Sequence, residues 1–314
     1  MFEYNYNPKT YILDVTLPKI LHYNFEFMNQ ITELIKVVID DEREYSKVRI
    51  SCQKEPEYDK MCKAYIFNVL RYLTKLVTVL WSKELNNIIL STVNTRTGSK
   101  FSEIDIQKMV FTEELDDYKF TNDQNVNKPV EEIARIVVEK NCTIGGKELK
   151  EFLTTTIGEI FSNAFLHSEK QELFFIYDIE SVGEDYFLCV TVIDYGNTIV
   201  NNVKNFHKKE YNKDIDSESC IQWAIVKGNT TRIGSGGYGL AMLIDYIENV
   251  KGDLLIFSGD VYYMLNSEGS VIKKAAGNFL GTSVTFRVKL FEMDKIIFFD
   301  KKNEELISIS LENL

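Results

Sequence analysis

Apolar and polar residues alternate along the first third of the chain with two different periods. Alternation at every second residue predicts strands near Thr10–Thr16, Lys47–Ser51 and Asn87–Val93. Between them, apolar residues recur at helical spacing and predict helices over about Phe25–Ile39 and Tyr58–Trp81. Strands that alternate with helices indicate an α/β domain over residues 1–111, in which no arrangement of side chains points to chemistry.

A polar segment, TEELDDYKFTNDQNVNKP at residues 112–129, predicts a linker after this domain. Helical patterns follow over about Val130–Glu139 and Lys147–His167. The runs ELFFIYDIE and YFLCVTVID are separated by a polar turn and rich in Phe, Val and Ile, so they predict an antiparallel hairpin.

The rest of the chain is expected to mix loops, helices and strands. The charged stretch NFHKKEYNKDIDSES at 205–219 is expected to be a loop without function. A short helix is predicted over Glu218–Lys227 and a longer one over Leu240–Asn249, and the runs DLLIFSG, VYYMLN and TSVTFRVKL predict three strands. Residues 130–314 should therefore form an α+β sandwich, with helices on one face of a mixed, mostly antiparallel sheet.

The composition is that of an ordinary soluble globular protein, with 45% hydrophobic and 26% charged residues among 314. A net charge of −11 disfavours a nucleic-acid partner, which would need a clustered basic face. The N-terminus has no signal-peptide pattern, and the most apolar helical stretch contains Arg71 and Lys75, so no membrane span is expected. Five widely spaced cysteines without C-x-x-C, and only three histidines, predict no metal cluster and suit a cytoplasmic protein.

Glycine is concentrated in RIGSGGYGLAML at residues 232–243, where Gly234, Gly236 and Gly239 have the spacing G-x-G-x-x-G. In a dinucleotide-binding fold such a loop directly follows a strand, but here it follows KGNTTRI, which is not strand-like. No Lys-Ser or Lys-Thr pair follows the glycines, which excludes a P-loop. A flexible turn and a loop that binds phosphate through its backbone N–H groups are both left open.

Two other segments place polar side chains among apolar neighbours. Glu159, Asn163 and His167 in IGEIFSNAFLHS follow one another at i, i+4 and share one face of a helix. In VTVIDYGNTI, Asp194 ends a strand with a buried pattern, and Gly196 follows two residues later. These residues either form surface pairs and a turn, or they face water, a metal or a ligand.

Taken in order, four segments resemble the GHKL (Bergerat-fold) ATP-binding superfamily, which includes gyrase B subunits, heat-shock chaperones, sensor histidine kinases and anti-sigma-factor kinases. The segments are E-x-x-x-N at 159–163, D-x-G at 194–196, GSGGYGL at 234–240 and G-T at 281–282. Each motif is weak by itself, whereas four in this order and spacing are a strong signal. The resemblance covers about residues 130–291 and leaves the N-terminal domain unexplained.

The resemblance implies that the chain binds ATP and Mg²⁺. Asn163 would bind the Mg²⁺, and Asp194 would accept a hydrogen bond from the adenine amino group. Gly196 would allow the base to approach, and Thr282 would lie near it. Glu159 would orient or deprotonate an attacking water.

The resemblance also implies an ATP lid whose backbone N–H groups meet the phosphates. The lid would comprise Gly234, Gly236, Gly237, Gly239 and the start of the helix at Leu240. His167 would either approach the ribose or phosphates or cap its helix. Arg232, at the end of the lid entry GNTTR, would either contact a phosphate or stay solvated.

The resemblance disfavours one activity and leaves three as alternatives. A self-phosphorylating histidine kinase is disfavoured, because His22 in LPKILHYNFEFM lacks the acidic residue and proline that follow a phosphoacceptor histidine. The first hypothesis is a slow Mg²⁺-dependent ATPase (a hydrolase) whose nucleotide-controlled lid regulates a partner protein. The second is a serine/threonine kinase of the anti-sigma-factor type, and the third is a non-catalytic, ATP-dependent interaction module. A homodimer is left open.

Overall fold

The structure is a computed structural model that describes residues 1–39, 45, 47–74, 76–85, 87–88, 155, 158–160, 163, 173–182, 185–231, 236–289, 297–299 and 306–308. The predicted linker at 112–129 and the predicted helix at Val130–Glu139 lie outside these residues. Of the helix predicted over Lys147–His167, residues 155, 158–160 and 163 are described, and all of them are helical.

Among the described residues, the N-terminal unit contains a four-stranded sheet, the helices α1 and α2 given below, and further helical residues at 83–85 and 87–88. Its sheet strands are β1 (Glu3–Asn7), β2 (Ile12–Leu17), β4 (Lys47–Cys52) and β6 (Val79–Trp81), its helices are α1 (Phe25–Ile39) and α2 (Lys60–Leu73), and β3 (Ile20–Leu21) and β5 (Glu57–Tyr58) form a separate parallel pair. The strand order is β1-β2-β4-β6, with β1 antiparallel to β2 and the other neighbours parallel. The predicted helix α1 and the predicted strands β2 and β4 are confirmed.

Two predictions in this unit are wrong. The helix predicted to reach Trp81 ends at Leu73, and the chain then forms strand β6 beside β4. The β-branched run Val77-Thr78-Val79 favours this extended conformation over a helix. Residues 87 and 88 are helical and not part of a strand. The Ser82 hydroxyl accepts a hydrogen bond from the Leu85 N–H (3.2 Å), which is how an N-cap starts a helical turn.

In the described residues, the C-terminal unit is built on a second four-stranded sheet, and it also contains the helical residues 155, 158–160 and 163. Its strands are β7 (Leu173–Val182), β8 (Asp185–Asp194), β9 (Asp253–Asn266) and β10 (Gly269–Lys289), its helices are α3 (Ile199–Tyr211), α4 (Ser217–Ala224) and α5 (Gly239–Asn249), and β11 (Ile297–Phe299) and β12 (Leu306–Ser308) form a further antiparallel pair. The strand order is β7-β8-β10-β9, and every neighbouring pair is antiparallel. The predicted β7–β8 hairpin is confirmed, and the class is mixed α+β.

The runs DLLIFSG and VYYMLN, predicted as two strands, form the single strand β9. Gly259 has φ +65°, and the core side chains are at even positions before it (Leu254, Ile256) and at odd positions after it (Val261, Tyr263). This change of parity is typical of a β-bulge, in which one extra residue interrupts the alternation without ending the strand. The prediction of three strands is therefore wrong, because a bulge and a strand end look alike in the sequence.

The charged stretch at 205–219 is not the predicted loop, since α3 continues to Tyr211 and α4 begins at Ser217. Thr198 caps the first turn of α3 with its side chain, and Val200 and Val203 are buried in the core below the helix. Lys208, Lys209 and Glu210 are exposed on the last turn of α3, and residues 212–216 connect this helix to α4. Burial of one helical face is enough to hold such a helix in place.

Both faces of the C-terminal sheet are covered. Helices α3, α4 and α5 pack on one face, in a core that includes Val190 and Phe286. The opposite face packs against α1 and α2 in a second core, which includes Ile193, Phe257 and Phe279 and extends into the N-terminal sheet. The predicted arrangement of helices on one face therefore describes the C-terminal unit alone, and the N-terminal helices complete the other layer.

Candidate functional site

A cavity of about 260 Å³ lies where the end of β8 and the middle of β10 meet helices α3, α4 and α5. It brings together most of the residues predicted from the four motifs. Those that line it are Glu159, Asn163, Asp194, Gly236, Gly237, Gly239, Leu240 and Thr282. The predicted Gly196 is not among its lining residues and lines a second, larger cleft, while His167, Arg232 and Gly234 are outside the described residues.

Asp194 and Thr282 form the buried end of the cavity. They are directly paired in the antiparallel β8–β10 ladder. Asp194 is only 4% exposed, and its carboxylate accepts hydrogen bonds from the backbone N–H groups of Gly196 (3.1 Å) and Thr282. Burial raises the pKa of this carboxyl to about 7, although the two hydrogen bonds oppose the shift. The cavity therefore ends at a strong hydrogen-bond acceptor that gains its charge near neutral pH.

Ser258, which the sequence did not predict, supports this end of the cavity from behind Thr282. Its hydroxyl is fully buried, lies 2.9 Å from the hydroxyl of Thr282 and accepts a hydrogen bond from the N–H of Ile199 (2.8 Å). Ser258 thus joins β9, the Thr282 side chain and the start of α3. A serine within a strand carries no sequence signal, and only the β9–β10 register places it opposite Thr282.

The helical residues Glu159 and Asn163 face the first residue of α5. A Cβ added at Gly239 would lie 3.0 Å from Nδ2 of Asn163 and 3.1 Å from Oε2 of Glu159, so a glycine allows this close approach. Glu159 is exposed and Asn163 is half-buried. A carboxylate and an amide are therefore presented side by side to the cavity, next to the N-terminus of a helix.

The glycine segment borders the cavity with its backbone. Gly237 has φ +80°, and a Cβ there would overlap the carbonyl oxygen of Asn229. Its own carbonyl accepts a hydrogen bond from the N–H of Gly228 (2.9 Å). Helix α5 follows and, unlike α3 and α4, it has no hydrogen bond from a capping side chain. Its first N–H groups point towards a position where an anion can bind.

Further residues line the cavity without having been predicted. They are Ile160, Val192, Asn197, Ile199, Asn202, Val203, Trp223, Ala224, Asn229, Thr230, Thr231 and Val284. Trp223 belongs to α4, and its backbone carbonyl accepts a hydrogen bond from the Asn229 side chain (2.9 Å). The sequence pattern of a tryptophan in a short amphipathic helix predicts a core residue. The packing of α4 beside the glycine segment (residues 236–239) is what brings Trp223 to the cavity.

We expect Gly281→Ala to lower the free energy of unfolding by about 3 kcal/mol, the cost of forcing atoms into a filled space. Gly281 has φ +150°, and a Cβ there would overlap the carbonyl oxygen of Asp194, so β10 would have to move away from β8. The matched control is Gly269→Ala, because Gly269 also has a positive φ (+120°) but a Cβ there meets no atom within 4 Å.

Urea denaturation of both variants measures the difference. The control should lose only about 1 kcal/mol, the cost of a positive φ for a residue with a side chain. Equal losses would show that the backbone angle, and not the contact with Asp194, is what requires glycine at 281.

Neither a metal-binding cluster nor a membrane-spanning helix is found among the residues that the structure describes. No group of three or more His, Cys, Asp and Glu side chains there is arranged to hold a metal ion. Within the same residues, every helix is too short or too polar to cross a membrane.

A comparison of the chain with models of known protein families and with curated protein sequences returned no match.

Proposed function

We propose that the chain is a GHKL-type protein that binds ATP with Mg²⁺ and hydrolyses it slowly. The observation that carries this proposal is the convergence of four distant segments on one cavity: the Glu159–Asn163 helix, Asp194 at the end of β8, Thr282 within β10, and the glycines before and at the start of α5. Each segment resembles a different motif of the superfamily, and the chain separates them by 30 residues or more. A coincidental set of motifs has no reason to meet in space.

The buried end of the cavity suits an adenine base. The Asp194 carboxylate can accept a hydrogen bond from an exocyclic amino group, and a charged acceptor makes this bond stronger than a neutral one would. The Thr282 hydroxyl, held by Ser258, supplies a second polar contact beside it. Val192 and Val284 line the same cavity and offer apolar surface to a flat ring.

The open end suits phosphates and a magnesium ion. The N-terminus of α5 and the backbone of the glycine segment can donate N–H groups to phosphate oxygens. Asn163 would supply an oxygen ligand of the kind that Mg²⁺ prefers, and one protein ligand is enough because Mg²⁺ keeps waters and binds phosphate oxygens. When bound, the ion would neutralise the charge of the phosphates.

Glu159 is the residue placed to act on water. It is exposed at the cavity edge, one helical turn before Asn163, so a water beside the terminal phosphate is within reach of its carboxylate. General-base catalysis by a positioned carboxylate would convert this water into the attacking nucleophile. Hydrolysis then needs no covalent intermediate with the protein, since the work is positioning and charge neutralisation.

We expect Mg-ATP at a hundred times its Kd to raise the melting temperature by about 5 °C, because a ligand at this excess adds about 2.7 kcal/mol to stability. Asn163→Ala should reduce this shift at the same nucleotide concentration, whereas Asn205→Ala, an exposed asparagine on α3, should leave it unchanged. Thermal unfolding with and without Mg-ATP measures both. No shift in the wild-type protein would contradict the proposed function.

Trp223 provides an independent binding signal. The chain has two tryptophans, and Trp81 is an exposed residue of the N-terminal sheet. In a Trp81→Phe background, Trp223 is therefore the single tryptophan, and it lines the proposed nucleotide cavity. Titration of its fluorescence with Mg-ATP gives the Kd directly. The same titration with Mg-GTP tests whether the protein distinguishes adenine from guanine.

A further inference from the structure

Tyr195, the residue that follows Asp194, is held by helix α2 of the N-terminal unit. Its hydroxyl donates a hydrogen bond of 2.6 Å to Oδ1 of Asn68, and both residues are buried. Its ring stacks on Tyr72, with centroids 4.0 Å apart and planes 13° apart. On its other side, the ring of Phe279 is 5.8 Å away. A hydrogen bond and a ring stack from α2 therefore hold this side chain, and we call these two contacts the Tyr195 clasp.

The clasp acts on a backbone turn that separates two cavities. The turn after Asp194 runs from Tyr195 to Thr198, and Asn197 lines both the proposed nucleotide cavity and a larger cleft of about 840 Å³ on the other side. Tyr195 and Tyr72 lie at the wall of this cleft. Because the turn has open space on both sides, its position depends strongly on its few side-chain anchors.

A second contact from the N-terminal unit reaches the same turn through β10. Gly277 lies against the backbone of α1, where a Cβ would overlap the carbonyl oxygen of Thr32, and the N–H of Ala276 donates to the Asn29 side chain (3.2 Å). Four residues after Gly277, Gly281 lies against the carbonyl of Asp194. This short part of β10 thus joins α1 to the residue proposed to bind the adenine.

We propose that α2 is a positioning element of the nucleotide site, in which the Tyr195 clasp sets the position of the turn that follows Asp194. This inference rests on the proposed function and adds its route of regulation. Coupling between two sites is reciprocal, so nucleotide binding must stabilise the packing of α2 as much as that packing favours nucleotide binding. The N-terminal unit is then the part of the chain that responds to the nucleotide.

The experiment compares two variants that lose the same chemical group. Tyr195→Phe removes the hydroxyl of the clasp and keeps the ring stack. Tyr58→Phe removes a hydroxyl that donates a hydrogen bond of 2.7 Å to the Pro18 carbonyl, elsewhere in the N-terminal unit. Both are made in the Trp81→Phe background, and Trp223 fluorescence measures the Kd for Mg-ATP. We expect Tyr195→Phe to weaken binding by about three- to tenfold, the loss of one buried hydrogen bond, and Tyr58→Phe to change it less than twofold.

Two further measurements separate positioning from general loss of stability. Asn68→Ala combined with Tyr195→Phe should bind no more weakly than the weaker single variant, because both changes remove the same hydrogen bond. Mg-ATP should slow amide hydrogen exchange over α2 (Lys60–Leu73) in the wild-type protein, and this protection should be reduced in Tyr195→Phe. Should Tyr195→Phe fail to fold, Tyr72→Leu removes the ring stack at a half-buried position and takes its place.

The outcomes distinguish the two proposals. Suppose that the wild-type protein binds Mg-ATP, that the clasp variants bind it as tightly, and that Mg-ATP does not slow amide exchange over α2. This inference is then overturned and the proposed function stands. If the wild-type protein binds no Mg-ATP, the proposed function fails and the inference falls with it.

Discussion

Replacing Glu159 with glutamine is expected to lower the rate of ATP hydrolysis by about 10²- to 10⁴-fold, the usual contribution of a general base. Glutamine keeps the size and the side-chain oxygen of glutamate, so the packing beside Gly239 is preserved. Nucleotide binding should change little, because the base and phosphate contacts come from other residues. Release of labelled phosphate from γ-labelled ATP measures the rate, and Trp223 fluorescence measures the Kd.

The matched control is Glu248→Gln, an exposed glutamate at the other end of α5. It removes one negative charge at a distance from the cavity and should leave the rate unchanged. Equal rates for Glu159→Gln and the wild-type protein would show that Glu159 is not the base. Binding without measurable hydrolysis in the wild-type protein would instead favour a serine/threonine kinase or a non-catalytic interaction module. Transfer of label to an added partner protein would then identify a kinase, and its absence would favour an interaction module.

Replacing Asp194 with asparagine is expected to change stability in a way that depends on pH. The carboxyl has a pKa of about 7 in the folded protein, against an ordinary value of 3.8. Between these values the folded protein keeps a proton that the unfolded chain has lost, so the stability of the wild-type protein falls as pH rises from about 4 to about 7 and is level above that. Asparagine has no proton to lose, so the free energy of unfolding of the variant should rise relative to that of the wild-type protein across the same pH window.

The full shift corresponds to a pH-dependent gain on the order of 4 kcal/mol, at about 1.4 kcal/mol for each pKa unit. Asparagine has one acceptor oxygen where the carboxylate has two, and any resulting loss of stability is the same at every pH and leaves the slope intact. Urea denaturation at pH 5, 6, 7 and 8 measures the difference. Asp214→Asn, an exposed aspartate on the loop after α3, is the control for the loss of one negative charge outside the cavity. A constant difference for Asp194→Asn would contradict the raised pKa.

The same substitution should remove adenine recognition. We expect adenosine to bind the wild-type protein more tightly at pH 8 than at pH 6, by up to about tenfold for each pH unit below the pKa, since the ionised carboxylate is a stronger acceptor for the amino group than the protonated carboxyl. Adenosine is the suitable probe because it has no phosphates that titrate in this range. Asp194→Asn should bind adenosine more weakly and without this pH dependence. An identical pH dependence in the two proteins would place the titrating group elsewhere.

Much of the fold was predictable from residue periodicity. Helix α1, strands β2 and β4 and the β7–β8 hairpin agree with the structure because one of their faces is buried and the period of burial shows in the sequence. The predictions failed where local signals conflict with long-range pairing. Strand β6 lies in an apparently helical stretch because it pairs with β4, and β9 continues through the bulge at Gly259 because β10 pairs with it on both sides.

The candidate site was predicted in its residue types and not in its surroundings. Asp194, Asn163 and the glycines are identified by short motifs, because their backbone and side-chain chemistry depends on immediate neighbours. Ser258 and Trp223 carry no such pattern: strand register places Ser258 behind Thr282, and helix packing brings Trp223 to the cavity.

The sequence alone determined which chemical groups this protein has and in what order, since side-chain identity and local spacing are properties of the chain. The tertiary structure decided how these groups behave. It buries Asp194 so that its pKa rises to about 7, and it places Gly239 against Glu159 and Asn163. It also joins α2 to the turn after Asp194 through Asn68 and Tyr195, which are 127 residues apart. Desolvation and contact across such separations arise from packing, and no local pattern in the sequence encodes them.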